Sequence, residues 1–86
     1  MYSIIYSERA AKYIRKLDKT TQERILTAIE RIRIRPEDHT IRLVGNTLYK
    51  FRVGDYRIIL NIDHGKLIIL VIEAGHRENI YDRLPN

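Results

Sequence analysis

The stretch "LYKFRVGDYRIIL", Leu48 to Leu60, constrains the fold of this chain more than any other. Tyr49, Phe51 and Val53 alternate with Lys50 and Arg52, a period of two that belongs to a strand and not to a helix. Gly54-Asp55 interrupts the alternation where a two-residue hairpin loop fits, glycine suiting the first position of a type II′ turn. With that turn, Val53 faces Tyr56, Arg52 faces Arg57 and Lys50 faces Ile59. Tyr49, Phe51, Val53, Tyr56, Ile58 and Leu60 then share one side, and Lys50, Arg52 and Arg57 share the other. Like charges directly opposite in a sheet are unfavourable by about 0.2–1 kcal/mol, and the stretch has no acid except Asp55 at the turn. A phosphate backbone supplies the missing counter-charge and suits the planar fork of arginine. Each residue taken singly also fits a solvated edge face guarded by cations against aggregation. Taken together, the three point to a site.

The rest of the chain supplies something for the apolar side to bury against. Met1 to Tyr6 reads as a first strand. Ser7 is placed to cap the helix expected in "SERAAKYIRKLD", where Ala10, Ile14 and Leu17 recur at helical spacing. Thr20 and Glu23 have the spacing of a capping box for a second helix with Ile25, Ala28, Ile29 and Ile32 on one face, and Pro36 ends it. The tight junction between the two predicts an antiparallel helical hairpin. "EDHTIRLVGNTL" reads as a connection with turn chemistry at Gly45-Asn46. Tyr56 to Ile62, the turn "DHGK" and Leu67 to Ala74 complete the strands, and the tail "HRENIYDRLPN" forms a short helix or packs on the sheet. The expected architecture is α+β, β-α-α-β-β-β. A helical hairpin covers one face of a mainly antiparallel four-stranded sheet, in a single domain over residues 1–86.

Lysine and arginine total 16 against 11 acids, a net charge of +5. That balance suggests a polyanionic partner, most often nucleic acid. There are no cysteines, so disulfides and thiolate metal sites are excluded. No close His–carboxylate spacing suggests a metal, and no Gly-rich phosphate loop is present. The start "MYSIIYSERA" does not read as a signal peptide, and the longest apolar run, Leu67 to Ile72, is far too short to cross a bilayer. A soluble cytoplasmic protein without membrane partners is expected. Arg77 lies where the last strand ends, with His76 before it and Tyr81 about one turn later. A strand end is a rigid base from which to aim a functional side chain. Alternatively, Arg77 pairs with Glu73 or Glu78 and Tyr81 packs on the sheet. His39 and His64 read as surface residues in a loop and a turn.

"LYKFRVGDYRIIL" followed by "IEAGHRENIY" resembles the RelE/ParE superfamily of toxin–antitoxin toxins, specifically its RelE branch. The resemblance extends through "SERAAKYIRKLD" and "IRLVGNTLYKFRVGDYRIIL" to nearly the whole chain. It implies a metal-free endoribonuclease, needing no cofactor, that enters the ribosomal A site and cleaves mRNA there. The 2′-hydroxyl of the substrate attacks the adjacent phosphate, leaving a cyclic phosphate and a free 5′-hydroxyl. The family's basic positions fall on Lys50, Arg52 (where the best-known members have Lys), Arg57 and Arg77. Its late tyrosine falls on Tyr81 at a shorter spacing, and His76 stands where some members have Lys. Arg57 and Arg77 are then phosphate stabilisers, and Lys50 and Arg52 binding and proton-handling groups. His76 and Tyr81 are acid–base or stacking candidates, and which residue is general base or acid stays open. The resemblance also implies a cognate RelB-like antitoxin, with operator DNA bound only through the toxin–antitoxin complex. Two rivals share the fold class: a ParE-like gyrase poison, and a non-enzymatic module that docks an acidic protein.

Overall fold

The structure is a computed structural model that describes residues 1–43 and 47–76. Its strands are β1 (Ser3–Tyr6), β2 (Ile41–Arg42), β3 (Leu48–Val53), β4 (Tyr56–Asp63) and β5 (Ile68–His76). The helices α1 (Glu8–Arg15) and α2 (Lys19–Arg31) and a 3-10 turn (Pro36–Asp38) lie between β1 and β2. The strands form one five-stranded sheet in the order β1-β5-β4-β3-β2. β1 runs parallel to β5, and every other neighbouring pair is antiparallel. The sequence predicts four strands; the additional one is β2, inside the segment read as a plain connection. It is a two-residue bridge onto β3, pairing Ile41 with Lys50 and Arg42 with Tyr49. The expected turn at Gly45-Asn46 and the expected tail helix lie outside the described residues.

Both helices bury their apolar stripes on one face of the sheet. Ala10 and Ile14 of α1, with Ile25 and Ile29 of α2 and Ile32 just beyond it, pack with Val53, Ile58, Leu60, Ile62, Ile69, Val71 and Ala74. Burial of each valine, isoleucine or leucine among them contributes about 1.5–3 kcal/mol, the main favourable term in a chain of this size. Ser7 caps α1 as expected: its Oγ accepts from the Ala10 N–H at 3.0 Å and donates to the Ile72 carbonyl at 2.7 Å, tying the helix start to β5.

At α2 the cap differs from the one predicted. Asp18, not Thr20, is the N-cap, and its carboxylate accepts from Thr21 N–H at 3.1 Å and from Thr21 Oγ1 at 2.6 Å. Aspartate accepts two bonds where threonine offers one hydroxyl oxygen, so the helix begins two residues sooner. These bonds hold the Asp18 carboxyl below the usual carboxylate range. Gln22 closes the joint between the helices, its Nε2 donating to the carbonyls of Arg15 and Leu17 at 3.1 and 2.8 Å. α2 also ends earlier than Pro36, at Arg31, and Pro36 instead opens the 3-10 turn with its ring buried.

Candidate nucleic-acid cleavage site

The β3–β4 hairpin has the register the alternation predicts: Val53 with Tyr56, Arg52 with Arg57, Lys50 with Ile59. Gly54 stands at φ 59°, a conformation that favours glycine, while Asp55 keeps a negative φ, as a type II′ turn requires. Tyr49, Phe51 and Tyr56 pack against the helix-side core that includes Val53, Ile58 and Leu60. Lys50, Arg52 and Arg57 therefore project from the other face.

Those three cations are held differently. Arg52 is exposed, and its Nε donates to the Gly54 carbonyl at 3.2 Å, which folds the guanidinium back over the turn. Arg57, directly opposite, is half-buried, and its Nη1 is fully buried with no hydrogen-bond partner among the described residues. Lys50 is half-buried and does have an interaction partner. Among the described residues, the buried cationic donor left without a hydrogen-bond partner is Arg57 Nη1. A buried donor without a partner costs about 1–3 kcal/mol, more when charged, so an arriving acceptor would recover a substantial free energy there.

Glu73 lies on β5 opposite Ile59, hence diagonal to Arg57, whose own partner is Gly75. It is 2% exposed. Its Oε2 accepts from Arg9 Nη1 at 3.1 Å, and its Oε1, like Arg57 Nη1, is buried without a partner among the described residues.

Lys50, Arg52 and Arg57 converge with His39 and Ile41 on a cleft of about 250 Å³. Sequence reading places His39 on an ordinary surface loop. Its position comes from the 3-10 turn: the His39 N–H donates to the Pro36 carbonyl at 3.2 Å, and Thr40 Oγ1 donates to the same oxygen at 2.9 Å. With Pro36 buried, the turn is pinned to the body of the protein and β2 follows at once along β3. No local pattern in the sequence singles out His39, because its place depends on contacts of Pro36 and of the strand that follows.

His76 does not line this cleft. It is the register partner of Tyr56, and the two rings meet edge to face at 5.8 Å between centroids, on the side where Tyr56 packs. His64 is elsewhere again, its Nδ1 2.7 Å from the Tyr2 hydroxyl. Arg77 and Tyr81 lie outside the described residues.

Such a small helix-backed sheet with a cationic cleft on the face away from the helices has clear relatives. The family model of the ParE toxin of type II toxin–antitoxin systems (parDE) matches residues 4–81, and the chain belongs to that family, within the RelE/ParE toxins. The toxin fold in the intact E. coli RelBE toxin–antitoxin complex superposes with a TM-score of 0.76 at 27% identity, covering 88% of this chain and 96% of that one. The isolated E. coli RelE toxin gives 0.73 at 26%, covering 88% and 84%. A chain of the Mycobacterium tuberculosis RelBE2 complex gives 0.80 at 19% over 88% and 98%, a likeness of fold. Comparison with curated protein sequences gives no match.

Proposed function

We propose that this toxin is a ribosome-dependent endoribonuclease that cleaves mRNA in the A site by attack of the 2′-hydroxyl on the adjacent phosphate, and so stops translation. The observation that carries the reading is the cleft: Lys50, Arg52 and Arg57 converge on one small concavity, with Arg57 offering a buried donor that has no partner among the described residues. In-line attack builds negative charge on the non-bridging phosphate oxygens. Preorganised cations aimed at that charge are worth the most where water is excluded. Arg57 and Arg77 stabilise the phosphorane in this reading, Lys50 and Arg52 hold the RNA strand, and Tyr81 stacks on a displaced base. His76 borders the strand end from which Arg77 follows.

The neighbouring structures that contain RelB support a RelB-like antitoxin as the partner. Its acidic segments would meet the +5 charge of this chain and occlude the cleft. The family model carries the ParE name, which keeps DNA gyrase as the second target class.

Primer extension on mRNA during active translation separates the readings. Cuts at codon spacing that require ribosomes support RNA cleavage. Cleaved gyrase–DNA complexes with intact mRNA support the gyrase reading, and neither product supports a docking module.

A further inference from the structure

RNA cleavage by 2′-hydroxyl attack needs a group that accepts the proton, and the three cleft cations are poorly suited to it. Arginine does not deprotonate in proteins, and lysine is an inefficient base near neutral pH. Histidine is the side chain whose ordinary titration range suits the task. The chain has 3 histidines, all within the described residues, and their positions discriminate among them. His64 hydrogen-bonds with Tyr2, and His76 lies against Tyr56 on the helix side of the sheet. Only His39 lines the cleft with Lys50, Arg52 and Arg57.

The placement of His39 is built and not incidental. His39 closes the 3-10 turn two residues before Ile41, the partner of Lys50, and lines the same cleft as Arg52, which in turn faces Arg57. The backbone at His39 is closed by the Pro36 carbonyl, leaving its exposed ring available. Among the described residues, the charged groups that line the cleft with it are Lys50 and Arg52 from β3 and Arg57 from β4. On its own segment, neighbouring Asp38 is drawn toward Arg35 at 3.9 Å.

We propose that His39 is the general base of this toxin, an inference that rests on the RNA-cleavage reading. Its neutral imidazole takes the proton from the 2′-hydroxyl as that oxygen bonds to phosphorus. The bond from phosphorus to the 5′-oxygen breaks, water protonates the leaving oxygen, and the imidazolium returns its proton to water. The products are a 2′,3′-cyclic phosphate and a 5′-hydroxyl, with Arg57 holding the phosphate charge throughout. The ring would make direct contact with the scissile nucleotide.

The test is single-turnover cleavage of mRNA on programmed ribosomes by wild type, His39→Ala, His39→Gln and His39→Lys, across pH, with unfolding midpoints measured alongside. The expected result is a loss of about 10²–10⁴-fold in rate for all three variants. Their affinity for the programmed ribosome should be unchanged, the acid limb of the wild-type pH–rate profile should be lost, and added imidazole should partly rescue His39→Ala. Because the ring is exposed, the unfolding midpoints should match wild type. Wild-type cleavage with undiminished His39 variants would overturn the inference while leaving the RNase reading standing. So would full activity in His39→Lys, which makes His39 a source of charge only, or a rate loss with an unaltered pH profile, which makes it a positioning residue. A wild-type protein that leaves mRNA intact on ribosomes would overturn both.

Discussion

The two faces of the β3–β4 hairpin arise from one short stretch of chain and obey different rules. On the helix side, Val53, Ile58 and Leu60 are closed into a core with both helices, and each is at most 6% exposed. On the other side, Arg52 faces Arg57 across the ladder and a guanidinium nitrogen is buried without a partner among the described residues. The first face is what a stable fold selects. The second carries repulsion and incomplete hydrogen bonding that folding alone would remove. Strand alternation lets both coexist at neighbouring positions, so stability and chemistry should separate residue by residue.

The largest expected effect is on the helix side. Ile58→Ala should destabilise the protein by about 2–5 kcal/mol, a large part of the margin of so small a domain, read as a fall in the urea midpoint at unchanged m-value. A loss below about 1 kcal/mol would break the assignment of this face as the core. One residue earlier, the sign should reverse. Arg57→Met should leave stability unchanged or raise it by about 0.5–1 kcal/mol, because it removes both the repulsion and the orphaned donor. A clear loss of stability there would mean that Arg57 is structural. Arg52→Gln sharpens the comparison further. Binding of a short single-stranded RNA should lose one phosphate contact, reducing the slope of log K against log salt by about 0.7. An unaltered slope would place Arg52 outside the RNA path.

How much of this was legible in the sequence varies by element. The hairpin register reads directly, since a period of two and a Gly-Asp turn are local facts that tertiary contacts then reinforce. β2 does not: two residues have no periodicity, Ile41 is 63% exposed, and the strand exists only through its pairing with Lys50 and Tyr49. His39 is hidden for the same reason, because its place in the cleft depends on a turn anchored by Pro36 and on its neighbours in β3 and β4. At the α2 cap the sequence pattern misleads, because Thr20 and Glu23 fit a capping spacing that Asp18 outcompetes with a carboxylate.

That cap yields the smallest predicted effect. With its folded titration point held low by Thr21, the Asp18 carboxylate contributes stability above its ordinary range, and this is lost as pH falls through the folded value. The lead of wild type over Asp18→Asn in thermal midpoint at neutral pH should therefore shrink below about pH 4. A constant lead across that range would contradict the assignment.

Whether the cationic face of the hairpin is the reacting surface is tested most directly by single-turnover mRNA cleavage on programmed ribosomes with Arg57→Met. The rate should fall about 10²–10³-fold, in the range found when one preorganised transition-state donor is removed, while the unfolding midpoint holds or rises. A stable variant that cuts as fast as wild type would contradict it.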